Sequence, residues 1–286
     1  MTGSATELER VATATGDEVL DEALHALDAA ERRRRRLDVT LAVATPAALL
    51  VMWQAAADTH WIDPKIFTPP TTIARSAGHL IAAGTLQSDL AITLARLVVG
   101  FAVGAAAGIV VGILLGLSRP LRSAFSPLFT GLYAVPQIAL LPLLLVIFGV
   151  GETAKVLTVV AVTFFVLEIN VVRAVRGFDP RLVEAGHAYG ARRLRLFRHV
   201  LLPGIMPAIF TGLRVSIALA LVVITATEFV ASTNGLGYLV WNSWQLFEPD
   251  YMYVGLITIA LVGVVLTGII VAAERLALPW LRRSRP

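Results

Sequence analysis

The chain has 286 residues, of which 57% are hydrophobic and 15% charged, and its mean hydropathy is +0.76. Soluble domains are nearer half apolar and a quarter charged, so these values, with apolar residues gathered in long runs, are typical of a membrane protein. The absence of cysteine excludes disulfides, thiolate metal sites and cysteine nucleophiles. The net charge of +4 does not indicate nucleic-acid binding, because the basic residues flank hydrophobic runs, where lipid headgroups and topology account for them.

The chain begins with a polar segment and a first apolar run. Residues 1–38 are polar and include five consecutive arginines, so we expect an amphipathic helix leading to a polybasic membrane anchor, with a regulatory or docking role as the alternative. Residues 39–57 are apolar, and their small-residue end imitates a signal-peptidase site. Because the polar lead is too long for a usual signal peptide, we expect 39–57 to be an uncleaved first transmembrane helix.

Apolar runs recur along the rest of the chain and predict six transmembrane helices. They cover 39–57, 90–117, 126–149, 153–172, 205–231 and 252–274. Each provides the roughly 20 residues that a helix needs to cross a hydrocarbon core of about 30 Å. Since an open sheet would leave unpaired backbone groups in lipid, we predict an all-α membrane protein.

Loops complete this organisation. Residues 58–89 are predicted as an external loop in which Pro69-Pro70 precedes a short interfacial helix. Residues 90–274 form a predicted five-helix core, and 275–286 form a basic cytoplasmic tail. Residues 232–251 carry an Asn-Gly turn and several interfacial aromatic side chains, which indicates a short external re-entrant or gate segment.

The distribution of basic residues predicts the orientation. With the N-terminus in the cytoplasm, most basic residues of the loops and ends lie inside, and only Lys65, Arg75 and Lys155 lie outside. The opposite topology inverts this ratio. We therefore expect a multi-pass protein of the cytoplasmic (plasma) membrane with both termini in the cytoplasm.

Glycines recur every fourth residue in the second apolar run. They are Gly100, Gly104, Gly108, Gly112 and Gly116. On a helix this spacing forms a smooth groove where another helix can approach closely. The partner is either another helix of this chain or a second subunit.

Polar residues within apolar runs are costly in lipid and usually face a pathway or each other. Glu168, Asn170, Arg214 and Glu228 are such residues, and for each the alternative is an ion pair or an interfacial position. Pro136 and Pro142 interrupt the third run, and the amide of Gln137 is a candidate for contact with substrate. The predicted translocation path comprises Pro136, Gln137, Glu168, Asn170 and Glu228. No catalytic residue and no metal site is predicted.

The segment 179–203 interleaves arginines with apolar residues between two of the long runs. Asp179-Pro180 is a good helix start, and Gly190 can end that helix in a left-handed conformation. A second helix is predicted from Arg192, and Pro203 marks the predicted turn into the fifth span. On physical grounds alone, two amphipathic helices could equally lie flat in the headgroup layer.

Within this segment, "EAGHAYGARRLRLFRHVLLPG" (184–204) resembles the cytoplasmic loop of permease subunits of ATP-binding-cassette (ABC) importers. The family pattern is Glu-Ala-Ala, three residues, Gly, nine residues, Ile, one residue, Leu-Pro. This chain departs from it at Gly186, where the family usually has alanine, and at Val200, where it has isoleucine. Stretches 134–155 and 211–240 look like the branch that imports nitrate, taurine and alkanesulfonates.

The resemblance implies a type I (MetI-like) importer permease fold in which 179–203 is a coupling helix docked on a separate ATPase. The residues that match the coupling role are Glu184, Ala185, Gly186, Tyr189, Gly190, Leu194, Phe197, Val200, Leu202 and Pro203. The implied partners are a cytoplasmic ABC ATPase dimer, a second permease copy in a homodimer or a different permease, an extracytoplasmic substrate-binding protein and the lipid bilayer. The implied substrate is a sulfonate or another small organic anion.

No phosphate-binding G-x-x-x-x-G-K-[ST] motif occurs in the sequence. We therefore expect a transport subunit that is not itself an enzyme and holds no cofactor, with ATP and Mg bound by the partner ATPase. A self-sufficient secondary transporter or channel is the alternative, but all five histidines fall outside the predicted spans. An intramembrane enzyme would need converging nucleophile, base or metal ligands, and the sequence offers no such set.

Overall fold

The computed structural model describes residues 33–34, 37–38 and 40–282. The helix predicted within 1–38 lies almost entirely outside the described residues, as does the end of the basic tail. Every regular element in the described ranges is helical, which confirms the predicted all-α class. The chain divides into two compact units at Thr71/Thr72.

The first unit contains helix α1, Thr40–Asp58, which coincides with the first predicted span. Near its end, Gln54 Nε2 donates a hydrogen bond of 3.0 Å to Asp58 Oδ1. Gln54 Oε1 accepts a hydrogen bond of 3.2 Å from the backbone N–H of Thr71. A single glutamine thus bonds both the end of α1 and Thr71, within the first unit.

The remaining helices run from the unit boundary to the C-terminal part of the chain. They are α2 (Pro70–Ala82), α3 (Thr85–Leu117), α4 (Arg119–Ala134), α5 (Leu141–Phe148), α6 (Glu152–Arg176), α7 (Pro180–Ala188), α8 (Leu194–Leu196), α9 (Leu202–Ala231), α10 (Leu236–Gln245) and α11 (Pro249–Ala277). Among the described residues, α1, α3, α6, α9 with the turns before it, and α11 are each long and apolar enough to span a membrane. The helix predicted after Pro69-Pro70 is confirmed as α2.

The third predicted span, 126–149, is not one continuous helix. The α4 helix and the segment Gln137–Phe148 meet at 93°. Val135 is extended, as expected for a residue before proline, and Pro136 supplies no N–H to continue the helix. Pro142 lies in the first turn of α5, where a missing N–H costs nothing, so the prediction that it also interrupts the span is wrong.

The glycine stripe of α3 packs against α6. A Cβ built on Gly104 would lie 2.6 Å from the carbonyl oxygen of Val160, and one on Gly112 would lie 2.7 Å from Cβ of Val171. Gly100, Gly108 and Gly116 are similarly close to α6. Of the two partners considered for this groove, the structure shows the one within the chain.

Helix α9 is continuous with the segment that precedes it. Residues 194–231 form one helix of 38 residues, in which Phe197–Leu201 is a π-helical turn. The predicted turn at Pro203 is therefore wrong. In a regular α-helix the ring of Pro203 would clash with the carbonyl group of His199, and the wider π turn around His199 accommodates it.

A short helix separates the last two spans. Within the predicted re-entrant segment 232–251, α10 covers Leu236–Gln245. Gly235 precedes it with φ of 107°, a conformation that favours glycine. The Asn234-Gly235 turn predicted from the sequence is thus present.

Candidate functional site: the coupling segment and the buried polar residues

The coupling segment, residues 179–203, begins as the sequence predicted. Asp179 Oδ1 accepts a hydrogen bond of 2.9 Å from the backbone N–H of Arg181, and Pro180 occupies the first turn of α7. The helix ends before Gly190, which has φ of 78°. The backbone N–H of Ala191 then donates to the carbonyl of Gly186 over 2.9 Å, which closes the turn.

One side of the coupling segment is packed on the bundle. Phe178 and Phe197 pack against a core cluster formed by Val171, Leu201 and Ile205, among others. A Cβ on Gly186 would lie 2.7 Å from Cδ1 of Leu196 and 3.2 Å from Cγ2 of Val200. Glycine at 186, where the ABC importer permeases usually have alanine, therefore lets α7 approach the start of the long helix.

The other side of the segment is open. Tyr189 is 92% exposed and Leu194 is 74% exposed, and Glu184 also lies at the surface. Among the residues predicted to couple, Phe197 is instead half-buried against the core cluster. Val200, Leu202 and Pro203 are also half-buried, so the surface free to contact a partner is narrower than the predicted set.

Glu228 lies in a closed network at the opposite end of α9. Its side chain is 0% exposed. Its carboxylate accepts hydrogen bonds from Arg96 Nη1 at 2.7 Å, from Thr93 Oγ1 at 2.9 Å and from the backbone N–H of Gly237 at 2.8 Å. Of the two positions considered for Glu228, this placement favours an ion pair over a place on the translocation path.

Arg96 is the centre of this network, and sequence analysis missed it. Its Nε and Nη2 donate to the two carboxylate oxygens of Glu152, at 2.5 and 2.7 Å. Its Nη1 and Nη2 also donate to the carbonyl and side-chain oxygens of Asn234, at 3.0 and 2.5 Å. With Glu228, these bonds use all five N–H groups of the guanidinium. Its sequence signal was an arginine inside the second apolar run, where a charge requires a partner.

The same face of α3 fixes the start of α10. Asp89 Oδ1 accepts a 2.7 Å hydrogen bond from the backbone N–H of Gly235, and Thr93 Oγ1 accepts one of 2.8 Å from that of Leu236. Asp89, Thr93 and Arg96 follow one another at helical spacing and continue into the glycine stripe. The Arg96 network, comprising Asp89, Thr93, Arg96, Glu152, Glu228 and Asn234, therefore joins α3, α6, α9 and the turn before α10.

The other predicted path residues lie apart from this network. Glu168 is 2% exposed, and its side chain makes no hydrogen bond or ion pair among the described residues. It is sixteen residues from Glu152 on α6, or about 24 Å along the helix. Asn170 Nδ2 donates to the carbonyl of Val166 over 2.7 Å within the same helix. The predicted path set is thus divided between separate regions of the bundle.

Gln137 and Arg214 differ in their pairing. Gln137 is buried in the short 3₁₀ turn after Pro136, and its Oε1 has no hydrogen-bond partner in the described part of the chain. Arg214 Nη2 lies 2.8 Å from Glu274 Oε2 on α11, which confirms the ion-pair alternative for this residue. In the described ranges, no group of three or more His, Asp or Glu side chains is arranged to hold a metal ion.

Residues 104–282 match the protein family described as binding-protein-dependent transport system inner membrane component. The chain belongs to this family. The match includes the coupling segment, α9 with Glu228, and most of the glycine stripe. The resemblance to ABC importer permeases that the motif around Gly190 indicated is thereby confirmed, by a match that covers more than half of the chain.

Curated relatives match the permease over most of their length. SsuC of Escherichia coli (strain K12), named as an aliphatic sulfonates transport permease protein, is 35% identical over 83% of this chain and 89% of its own. The taurine transport system permease protein TauC of the same organism is 31% identical over 92% and 97%. The riboflavin transport system permease protein RibX of Chloroflexus aurantiacus is 38% identical over 81% and 87%.

The fold agrees with that of a solved transporter. The inward-facing MetNI methionine ABC transporter contains a chain that matches with a TM-score of 0.61 and 21% identity, over 69% of this permease and 97% of that chain. The predicted MetI-like fold is therefore confirmed. The protein is a membrane-embedded ABC importer permease, a transport component rather than an enzyme with its own ATPase site.

Proposed function

We propose that this permease forms the translocation path for a small organic anion and is driven by a separate ATPase that binds its coupling segment. The observation that carries the proposal is the exposure of Tyr189 and Leu194 at the surface of the coupling segment. Leu194 is the first residue of the 38-residue helix, which contains Glu228 near its other end. A helix can transmit a displacement along its length without bending, whereas a flexible loop would absorb it. ATP and Mg bind the ATPase in this proposal.

The proposed assembly contains two permeases, two ATPase subunits and an extracytoplasmic binding protein. Support comes from the family, whose description names a binding protein, and from the incomplete burial of the spans in a single chain. The α11 helix, for example, has only a small buried share over its most apolar part. A second copy of this chain is the proposed neighbour.

In the proposed orientation the coupling segment and both termini face the cytoplasm. Arginines lie in the last turn of α6 and in α8, at the end of the bundle that carries the coupling segment. Basic residues are in excess on the inner side of a membrane, which supports this orientation. Because the chain has no cysteine, single cysteines at positions 189 and 247 can be labelled separately with a membrane-impermeant maleimide. In right-side-out vesicles, Phe247→Cys should react and Tyr189→Cys should not.

Site-specific photocrosslinking tests the coupling. A photoreactive phenylalanine at Tyr189 should crosslink to an ATPase co-expressed with the permease. Phe247 is the matched control, because it is 91% exposed, against 92% for Tyr189, and lies at the other end of the bundle beyond α10. Crosslinks from position 189 to phospholipid alone, with the ATPase present and active, would contradict the proposal.

Reconstitution separates this proposal from a self-sufficient transporter or channel. Proteoliposomes with the permease, the ATPase and the binding protein should take up substrate only when ATP is supplied. Uptake by the permease alone would favour the alternative. The substrate class rests on relatives named for sulfonates and taurine, while RibX is named for riboflavin. The ligand affinity of the binding protein that works with this permease would decide between these substrates.

A further inference from the structure

A cavity of 380 Å³ lies between α4 and α6. Its polar lining includes Arg122, Ser123 and Ser126 of α4 and Glu168, Arg173 and Arg176 of α6. It is at the end of the bundle that carries the coupling segment, because α7 follows shortly after Arg176. A volume of this size is typical of small-molecule sites.

Three guanidinium groups give the cavity a positive wall. Arg122 Nη1 donates to the carbonyl oxygens of Leu115 and Gly116, at 3.2 and 3.1 Å, which fixes that side chain at the end of α3. The side chains of Arg173 and Arg176 have no hydrogen bond or ion pair among the described residues. Their donors are therefore available to an oxyanion such as a sulfonate or a phosphate.

Glu168 places a carboxyl group in the same cavity, and none of the three arginines pairs with it. Its side chain is nine-tenths buried or more, and no ion pair joins it to any of the three arginines. A buried carboxylate without donors is costly, and an ammonium group placed beside it would remove that cost. The cavity thus combines guanidinium donors, which suit an anion, with an unpaired carboxyl group, which suits a cation.

We propose that this cavity binds a zwitterion, with an oxyanion held by Arg122, Arg173 and Arg176 and an ammonium group held by Glu168. Two sources share this chemistry: a free amino-sulfonate passing through the permease, and the headgroup of phosphatidylethanolamine. The first source rests on the proposed function, whereas the site itself does not.

Ligand binding to the purified full-length chain tests the proposal. In phospholipid-free maltoside micelles, saturation-transfer NMR compares 2-aminoethanesulfonate with ethanesulfonate, which lacks the ammonium group. We expect the zwitterion to bind about tenfold more tightly, since a charged hydrogen bond to a buried group is at stake. A second arm uses native mass spectrometry to compare retention of phosphatidylethanolamine and phosphatidylglycerol.

The variants assign the two charges. Glu168→Gln should abolish the preference for the zwitterion. Arg176→Gln should weaken the binding of both sulfonates by a similar factor. Arg119→Gln is the control, because Arg119 is an exposed arginine of α4 that does not line the cavity. If Glu168→Gln disturbs folding, as circular dichroism would reveal, Arg176→Gln still tests the anion position.

Each outcome has a defined meaning. A Glu168-dependent preference for the zwitterion supports the site. If the preference occurs between the two sulfonates, the ligand is a free amino-sulfonate; if it occurs between the two lipids, the ligand is the phosphatidylethanolamine headgroup. Equal binding of the two sulfonates together with equal retention of the two lipids overturns it, as does a preference that survives Glu168→Gln. The crosslink from Tyr189 to the ATPase does not depend on this cavity, so failure here leaves the coupling proposal standing.

Discussion

Arg96 Nη1 donates a hydrogen bond of 2.7 Å to Oε1 of Glu228, a residue 132 positions further along the chain. Both side chains are buried, and Glu152 supplies a second carboxylate to the same guanidinium. The relationship joins the second span to the end of the fifth. It makes this end of the bundle depend on a single arginine.

Replacement of Arg96 should therefore destabilise the permease. Arg96→Met leaves Glu228 buried without its cation, and the loss of one partner from a buried ion pair costs about 3–5 kcal/mol. The free energy of unfolding in mixed micelles measures the change. Arg75→Met is the control, because Arg75 is exposed on α2 and should change stability little. Equal stability of the two variants would contradict the structural role of the network.

The close approach of α3 and α6 predicts a clash at Gly104. Gly104→Ala places a methyl group against the backbone of Val160, which cannot rotate away, so we expect a destabilisation of about 1–3 kcal/mol. Gly268→Ala is the control within another span, since a Cβ there meets nothing within 4 Å. The two midpoint temperatures in detergent should move apart, with Gly104→Ala the lower.

Gly186 has a packing role as well as a helix-propensity cost. Alanine would gain about 1 kcal/mol of helix propensity in α7 but would meet Leu196 Cδ1. We expect Gly186→Ala to be neutral or destabilising in the wild-type protein. In the Leu196→Ala background the clash is absent, so we expect the added Gly186→Ala to raise the free energy of unfolding above that of Leu196→Ala alone. A double-mutant cycle on the free energy of unfolding measures this coupling. Strict additivity would show that the two positions do not interact.

The turn at Gly190 requires a left-handed backbone. A Cβ at this position meets nothing within 4 Å, so the cost of a substitution comes from φ of 78° rather than from a clash. Gly190→Val should lower ATP-driven uptake and cost about 1–2 kcal/mol, because a branched side chain opposes this conformation. Gly190→Asn should retain most of the uptake and most of the stability, since asparagine adopts the left-handed conformation more readily than valine. Equal effects of the two substitutions would contradict the explanation.

Gln137 tests the predicted translocation path. Its buried Oε1 is unpaired within the described residues, which is the arrangement expected of a group that meets a passing solute. Gln137→Ala should reduce uptake while assembly of the complex, measured by size-exclusion chromatography, is unchanged. Gln87→Ala removes an exposed amide that bonds the carbonyl of Ile81, and it should leave uptake intact.

The elements of the fold follow from local patterns. Apolar runs longer than a membrane crossing, the Asp179-Pro180 start and the Gly190 stop all depend on neighbours within a few residues, and each is present in the structure. The continuity through Pro203 was missed because a π turn is specified by packing, not by a residue type. The bend at Val135–Pro136 was expected only as a kink.

The site was less accessible to sequence reasoning. The Arg96 network forms between residues far apart in the chain, and single intramembrane charges carry no indication of which partner they meet. Glu228 could therefore be placed on a path or in an ion pair with equal reason. The domain boundaries and the roles of the coupling residues stay predictions.

The long helix 194–231 gives the permease a mechanical property beyond that of a span. At 1.5 Å per residue its 38 residues extend about 57 Å, from the exposed Leu194 at one end to Glu228 near the other. Because Leu194 and Glu228 belong to the same helix, a tilt of that helix as a whole moves both the exposed leucine and the carboxylate that binds Arg96. In the proposed mechanism, a tilt applied by the ATPase at the coupling segment would therefore also act on the Arg96 network at the opposite end of the bundle.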